Sequence, residues 1–515
     1  MKRYSRLFIA LTVCVAAIQI FSGCRKERFN DDPNFQLEFS QDTILFDTVF
    51  ATVGSTTQYL RVRNNSNESI RISKISIQGP FANQYRINVD GLAGPEVNDI
   101  EILPNDSVFV FVEVTVDPNN DITPFLVDAE IVFETNGNSQ SVALIAFGRN
   151  AYFHGGLNSC ANPISEVIPT GASVTWTNDK PHVIYGIIAV DSGATLNIDP
   201  GTQVYCHSKS GIYVYKGTLN IQGSLNSEVV FQGDRLEDSY SDIPGQWGIQ
   251  LDCPIATGVG PSVASIIRGG IWLYQSSNST IDYAILRNGN VGIQVDTSGV
   301  NASSSEFALT IRNTIIENMA GFGILGQGAT IMGKNLLVTN CGQSCAYFGL
   351  GGHYEMDNCT FANYWTDGTR TAPAFVLNNY YEDVYQNIQL RPLVNCRFSN
   401  CIMFGNNAFN TDFNEFLIDL NDDIPSGYTF NYCLVDTDQN IENDGIHFLG
   451  LSNGQAPQFC DIDESNFFIN GTGSLMSGNF ANAQPAVDGL DLAGNPWSGV
   501  MWKGCYAYDA SSPCE

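Results

Sequence analysis

Two stretches of this 515-residue chain carry residue types that could hold a ligand or act on one. Gly233-Asp234-Arg235-Leu236-Glu237-Asp238 runs through Tyr240 and Pro244 to Gln246-Trp247, which places opposite charges and an indole in one long loop. That is the composition of a groove rim, and equally of a loop held by ion pairs with Trp247 packed on the core. Trp365, Tyr380, Tyr381 and Tyr385 form the second group. Exposed rings stack on flat apolar surfaces such as sugar faces, and the same rings can also pack a loop against a wall. Metal chemistry has weaker support. Asp419-x-Asn421-x-Asp423 and Asp117-x-Asn119-x-Asp121 begin like the oxygen-ligand run of a calcium loop. However, Ile424 and Ile122 stand where a sharp-turn Gly belongs, and neither run has Glu at its twelfth position. Calcium is therefore the only candidate cofactor, and no residue is assigned to a metal. His154, His182, His207, His353 and His447 are isolated in the sequence and are given neither a metal nor a catalytic role.

These groups need elements to hold them, and composition says which kind. With 48 Gly, 31 Phe and 21 Tyr, 43% hydrophobic and only 15% charged residues, the chain suits turn-rich all-β structure. Its length calls for at least two folded units. The formal net charge of −29 repels nucleic acid, phospholipid headgroups and polyuronates.

Lys2, Arg3 and Arg6, an apolar run from Leu7 to Phe21 and Ser22-Gly23 before Cys24 read as a signal peptide over residues 1–23. The apolar run is too short to span a bilayer. Ser22-Gly23-Cys24 resembles the lipobox of bacterial lipoproteins, with Phe21 departing from its usual aliphatic start. The resemblance implies lipid attachment at Cys24 and a place in the cell envelope, anchored to the outer membrane on its periplasmic or its surface side. Removal of the leader would leave the chain three charges more negative. Of fourteen cysteines none shows the CxxC pairing of a zinc site. Cys505 and Cys514 are a candidate disulfide by proximity.

After a linker at 24–34, residues 35–150 alternate apolar and polar positions between turn signals. The strands expected are Thr43 to Phe50, Thr57 to Arg63, Ile70 to Ile77, Val108 to Val116, Ala129 to Glu134 and Ser141 to Phe147. Six or seven strands make a β-sandwich. The stretches RVRNNSNESIRI and LPNDSVFVFVEVTV resemble Ig-like domains of the major-sperm-protein kind, which implies a stalk or spacer.

Beyond the junction at Gly148 to Pro169 a period of 22 or 23 residues sets in. Gly193-Ala-Thr-Leu-Asn-Ile198 recurs as Gly217-Thr-Leu-Asn-Ile221. Asn313, Asn335 and Asn358 keep the period, and so do Asn318, Asn340 and Asn363. Such a repeat predicts a solenoid whose coils stack at about 4.8 Å, with asparagine ladders at the corners. Cys359, Cys396 and Cys433 lie 37 residues apart, one coil plus an insertion, and are expected to stack in one interior column. The insertions are placed around Leu377 to Leu390 and Asn410 to Ser426.

The stretches GATLNIDPGTQVY, GTLNIQG, FQGDRLEDSY, DIPGQWGIQL, TIRNTIIENMAGFGIL and NCTFANYW resemble the right-handed parallel β-helix lipoproteins of Bacteroidetes-type bacteria, with a pectin-lyase-like fold. QPAVDGLDLAGNPWSGVMWKGCYAY resembles the coil that closes such helices. The resemblance covers residues 164–508, and the expected whole is all-β: a right-handed parallel β-helix behind an Ig-like sandwich. Polygalacturonases of this fold carry NTD, DD, GHG and RIK in order. This chain has Asn421-Asp422-Asp423 but neither GHG nor RIK. A lyase would need calcium carboxylates beside a basic residue, and the 24 Lys and Arg are scattered. No catalytic set emerges, and the reading leans away from an enzyme. The first expectation is an envelope lipoprotein that binds a polysaccharide or a surface protein. The alternatives are a polysaccharide lyase or glycoside hydrolase, which requires converging carboxylates, and a structural envelope protein, which requires neither groove nor aromatic cluster.

Overall fold

The structure is a computed structural model. It describes residues 28–119, 123–156, 162–257, 260–296, 306–383, 385–406, 414–469, 489–497 and 502–507, with backbone only at 252–266. Two compact units divide at Asn150 and Ala151. Cys24 and the apolar run before it lie outside the described residues, as does Cys514.

The first unit is a sandwich of two five-stranded sheets. Alternation drives it: in Ser107–Val114 the valines at 108, 110, 112 and 114 point inward, while Phe109, Phe111 and Glu113 face out. Each buried valine contributes roughly 1.5–3 kcal/mol. Val110, Val112 and Val114 meet Ile72, Ile75, Val127 and Phe133 of the facing sheet in one core. Thr43–Phe50 pairs in parallel with Asn138–Arg149, against the antiparallel rule of the rest. Ten strands form where six or seven were expected. Two of those missed are Tyr85–Val89 and Glu96–Ile102. The latter, EVNDIEI, loses its clean alternation because Asp99 takes a left-handed φ of 56°.

The second unit is a parallel β-helix of three sheets. Sheet I contains Ile164–Ile168, Ile187–Val190, Gly211–Tyr215, Ile271–Tyr274, Ile293–Asp296, Phe375–Asn378 and Phe416–Asp419. Sheet II contains Ser173–Trp176, Thr195–Ile198, Thr218–Gln222, Ser279–Asp282, Leu393–Ser399, Ser426–Asn431 and Phe448–Leu449. Sheet III contains Tyr152–Gly155, His182–Tyr185, Gln203–Cys206, Val229–Gly233, Ala284–Arg287, Thr360–Asn363, Ile402–Gly405, Leu434–Val435 and Ser452–Asn453. The long strands Leu309–Met319, Ile324–Cys341 and Ala346–Asp357 bend through more than one sheet. The stack starts at Tyr152, earlier than the Ile164 expected, because Tyr152–Gly155 already pairs with His182–Tyr185. Leu196 sits on Leu219, as the repeat requires.

Inward positions form continuous columns. In sheet II, Ile198, Ile221, Ile281 and Ile311 lead to Gly333, then to Met356, Phe398, Phe430 and Phe448. Gly333 is small because a Cβ there would lie 2.4 Å from Met356 Sδ. Stacked rings dominate the later coils, with Phe398 and Phe430 centroids 4.6 Å apart.

At the corner between sheets II and III, Tyr283, Asn313, Asn335, Asn358, Asn400 and Tyr432 all have φ of 46–53°. That left-handed conformation is one asparagine tolerates better than most residues, so the repeat reflects backbone geometry first and side-chain ladders second. Asn335 Nδ2 donates to Asn313 Oδ1 at 3.1 Å, but Asn358 Nδ2 donates to Trp502 O at 2.8 Å. Asn318 donates to Asn288 at a second corner. Asn363 does not extend that corner, since it ends a strand and bonds both backbone groups of Cys341.

Four further expectations are corrected. The interior thiol column is Cys359, Cys401 and Cys433, set by the pairing of Thr360 with Ile402 and of Ile402 with Leu434. Cys396 stands elsewhere, beside Tyr428, because the equal 37-residue intervals span unequal insertions. Leu377 and Phe416–Asp419 belong to coil strands, and the first insertion narrows to a hairpin of Tyr380–Glu382 with Ile388–Leu390. Cys505 is a buried free thiol, so it makes no bond to Cys514, whereas Cys460 is disulfide-bonded. Lastly, the described part of QPAVDGLDLAGNPWSGVMWKGCYAY adds no coil. It lies on the outer face of sheet III, where Leu492, Trp502, Cys505 and Tyr506 meet Leu337, Ala362, Ile402 and Leu434.

Candidate functional site

The outer face of sheet I gathers partly exposed rings. GIYVY and IWLY turn their aliphatic residues inward and both alternate residues outward. Parallel register then sets Tyr213 beside Trp272 and Tyr215 beside Tyr274. Ring centroids lie 4.5 Å apart in the first pair and 6.1 Å in the second. On the next coils Trp272 is followed by Gln294, Leu325 and Tyr347, and Tyr274 by Asp296, Gln327 and Gly349. Two columns therefore run side by side, one of rings interrupted by Gln294 and Leu325 and one that becomes polar after its tyrosines.

The polar edge is preorganised. Trp272 Nε1 donates to Asp296 Oδ2 at 2.8 Å, and Gln294 Nε2 donates to both oxygens of the same carboxylate at 3.0 and 2.9 Å. Gln294 is itself fixed, since its Oε1 accepts the Gly269 N–H at 2.9 Å. Burial raises the Asp296 pKa above the usual carboxylate value, opposed by Gln294, Trp272 and Arg268. Arg268 lies 5.4 Å over the Trp272 ring and Lys216 5.1 Å over Tyr215. Burial pushes the Tyr213 hydroxyl up to about 12, so it remains a neutral donor. Flat rings beside oriented acceptors suit a ligand with apolar faces and hydroxyl edges.

The spacing along the polar column excludes one carboxylate pair. Asp419, the next carboxylate on the polar column, lies beyond Gln327, Gly349 and Asn378, four strand spacings from Asp296 or about 19 Å. Glycosidic hydrolysis needs two carboxyl groups about 5–9.5 Å apart, which this pair is not.

The residues singled out from sequence scatter over the molecule. Trp247 is wholly buried, donates Nε1–H to Arg287 O at 2.8 Å and packs on Phe231, so it supports the core and rims no groove. Asp234 Oδ2 pairs with His207 Nδ1 at 2.7 Å, which raises the histidine pKa. Arg235 binds Glu237 at 3.0 Å and lies 3.9 Å over Tyr240, the ion-held loop. Trp365 is 8% exposed. Tyr380 does reach sheet I, donating to Asp419 Oδ2 at 2.8 Å, and on its hairpin Tyr381 and Tyr385 are 38% and 82% exposed. Asp419 is thus engaged, while Asn421 Oδ1 accepts the Asp423 N–H in a turn. Asp121 lies outside the described residues. No group of three or more His, Cys, Asp or Glu converges as a metal site among the described residues.

Sequence reading missed Tyr213, Tyr215, Trp272, Tyr274, Tyr347 and Asp296. Their signal was present: two short strands with rings at both outward positions. It also missed a histidine pair at the first coils, which only the register of Tyr152–Gly155 on His182–Tyr185 brings together. His182 Nε2 donates to Thr177 O at 2.9 Å, which leaves Nδ1 to accept from His154 Nε2 at 2.8 Å. Both rings lie on Trp176, and Glu166 Oε1 stands 3.7 Å from His154 Nδ1 beside a cavity of about 380 Å³. Burial depresses both histidines, His182 to about 4.

A family model described as a right handed beta helix region matches residues 182–361, which gives the helix its hand. No curated protein matches the sequence. Solved structures match at low identity. A family 123 glycoside hydrolase from Clostridium perfringens has 10% identity and a TM-score of 0.17 over 22% of this chain, which spans 25% of that protein. The PapD-like domain 7 of human CEP192 has 9% identity and a TM-score of 0.17, covering 25% of this chain and 94% of that one. The catalytic unit of a thermostable GH87 alpha-1,3-glucanase from Streptomyces thermodiastaticus has 8% identity and a TM-score of 0.22, covering 77% of this chain and 89% of that one.

Proposed function

We propose that this chain is an envelope lipoprotein, attached through Cys24, that binds carbohydrate on the outer face of sheet I. One observation carries the binding reading: Tyr213, Tyr215, Trp272 and Tyr274 stand together on adjacent coils beside a fixed Asp296 carboxylate. Ring stacking adds roughly 0.5–1.5 kcal/mol per contact beyond area burial, and oriented acceptors supply selectivity for hydroxyls. The sandwich would serve as the spacer. The reading favours binding over hydrolysis because, among the described residues, Asp296 and Asp419 of the polar column are too far apart for one bond.

The test is retention of the mature chain on a panel of immobilised polysaccharides, with mass spectrometry of the supernatants. Retention on at least one, reduced tenfold or more by Trp272→Ala, is expected. Release of oligosaccharides would make the protein an enzyme, and absence of retention on every member would remove the reading.

A further inference from the structure

We infer that the ligand is a linear, uncharged glycan that lies along the stack and is held at two ring anchors, an inference that rests on the carbohydrate reading above. The first anchor is the cluster around Trp272. The second is Tyr347, three strand spacings further on, past the buried Gln294 and the partly exposed Leu325, or about 14 Å away. A pyranose ring is about as wide as one strand spacing, so a ligand touching both anchors needs roughly four rings.

Tyr347 is shaped for this by its neighbour two residues on. A Cβ at position 349 would lie 2.4 Å from Tyr347 Cε1 and 3.2 Å from Cδ1, so the ring rests across the space that Gly349 leaves empty. Phe322 meets the ring in a T-shaped contact, with centroids 5.9 Å apart. Gly349 has no left-handed φ, so it is there for the ring and not for the backbone. Between the anchors the polar column offers Asp296 and Gln327. A ligand carboxylate there would face Asp296, whose nearby cation, Arg268, already acts on that carboxylate and lies over Trp272. The chain's net charge of −29 adds to that repulsion.

The experiment is isothermal titration of the mature chain with cello-, malto- and laminari-oligosaccharides from dimer to hexamer, with oligogalacturonates as the charged arm. For the ladder that binds, affinity should rise at least tenfold from dimer to pentamer and then level off. Gly349→Ala should bring the pentamer back to the dimer's affinity and leave the dimer unchanged, while oligogalacturonates bind at least tenfold more weakly. A dimer that binds as well as the pentamer, an unaffected Gly349→Ala variant, or equal binding of the charged arm would each overturn the two-anchor, uncharged ligand and leave carbohydrate binding standing. Retention on a polysaccharide without binding of any oligomer would also overturn it. Failure of every polysaccharide in the preceding panel would remove the carbohydrate reading itself.

Discussion

Sheets I and III are built from the same coils, yet their outer faces meet opposite fates. Sheet III turns Leu337, Ala362, Ile402 and Leu434 outward, and the C-terminal segment covers them with Phe467, Leu492, Trp502 and Tyr506. Sheet I turns rings and polar groups outward, and its rings and Asp296 remain partly exposed while Gln294 is buried. A solenoid offers the same backbone on each side, so the outward column decides what each side can do. An aliphatic column gains most from burial and is covered by the chain itself. Rings with hydrogen-bonding edges can stay wet and wait for a ligand.

Breaking the covered side should have the largest effect. Asp491 is fully buried, its Oδ1 accepts the Ala493 and Asn495 N–H groups, and its Oδ2 accepts that of Ala507. Asp491→Ala orphans three backbone donors and should cost about 3 kcal/mol or more, seen as a lower denaturation midpoint and new dye binding to sheet III. An unchanged midpoint would mean that the cover is incidental.

Next comes the first-coil end, which belongs to neither face. His182 is neutral when folded, with its pKa depressed to about 4, while the unfolded residue titrates near 6.5. The unfolded chain binds more protons between those values. Stability is therefore intact above about pH 6.5 and is lost as pH falls toward 4, by about 3 kcal/mol. His182→Gln should flatten that part of the pH profile, and a profile of unchanged steepness would assign the loss to other groups.

A smaller effect is expected at the corner that leads into sheet III. Asn335→Ala puts an alanine at a φ of 52° and removes bonds to Asn313 Oδ1 and Leu490 O, costing about 2 kcal/mol in urea unfolding. Least of all, Trp272→Ala on the open side should change stability by about 1 kcal/mol or less while abolishing glycan retention. A cost as large as that of Asp491→Ala would make sheet I a packed surface.

Much of the fold was legible because a coil repeats its own constraints. The Leu196 to Leu219 interval and the asparagine columns state the period directly, and parallel stacking turns period into register. Insertions defeated the same logic: with equal 37-residue spacings, Cys396 looked like the partner of Cys359, and only pairing across the hairpin selects Cys401. The closing segment misled for a related reason, since strand-like residues that cover a wall read like residues that build one. The site was less legible. Loop aromatics such as Trp247 drew attention by composition, but burial decides their role. The rings of GIYVY and IWLY sat in strands already explained as core, and their outward half mattered only once neighbouring coils lay side by side.

The C-terminal segment also changes how the stack comes apart. In a bare solenoid each coil feels only its neighbours, so the ends can fray while the middle holds. Here one strap bonds Asn335 through Leu490 O, Asn358 through Trp502 O, Asn400 O through the Gly504 N–H, and Ser452 through Lys503 Nζ. Those partners sit on coils that do not all touch one another. Peeling away the last coil therefore loosens coils well inside the stack, and a structure that could melt piecemeal, like a zip, is tied into a single cooperative block.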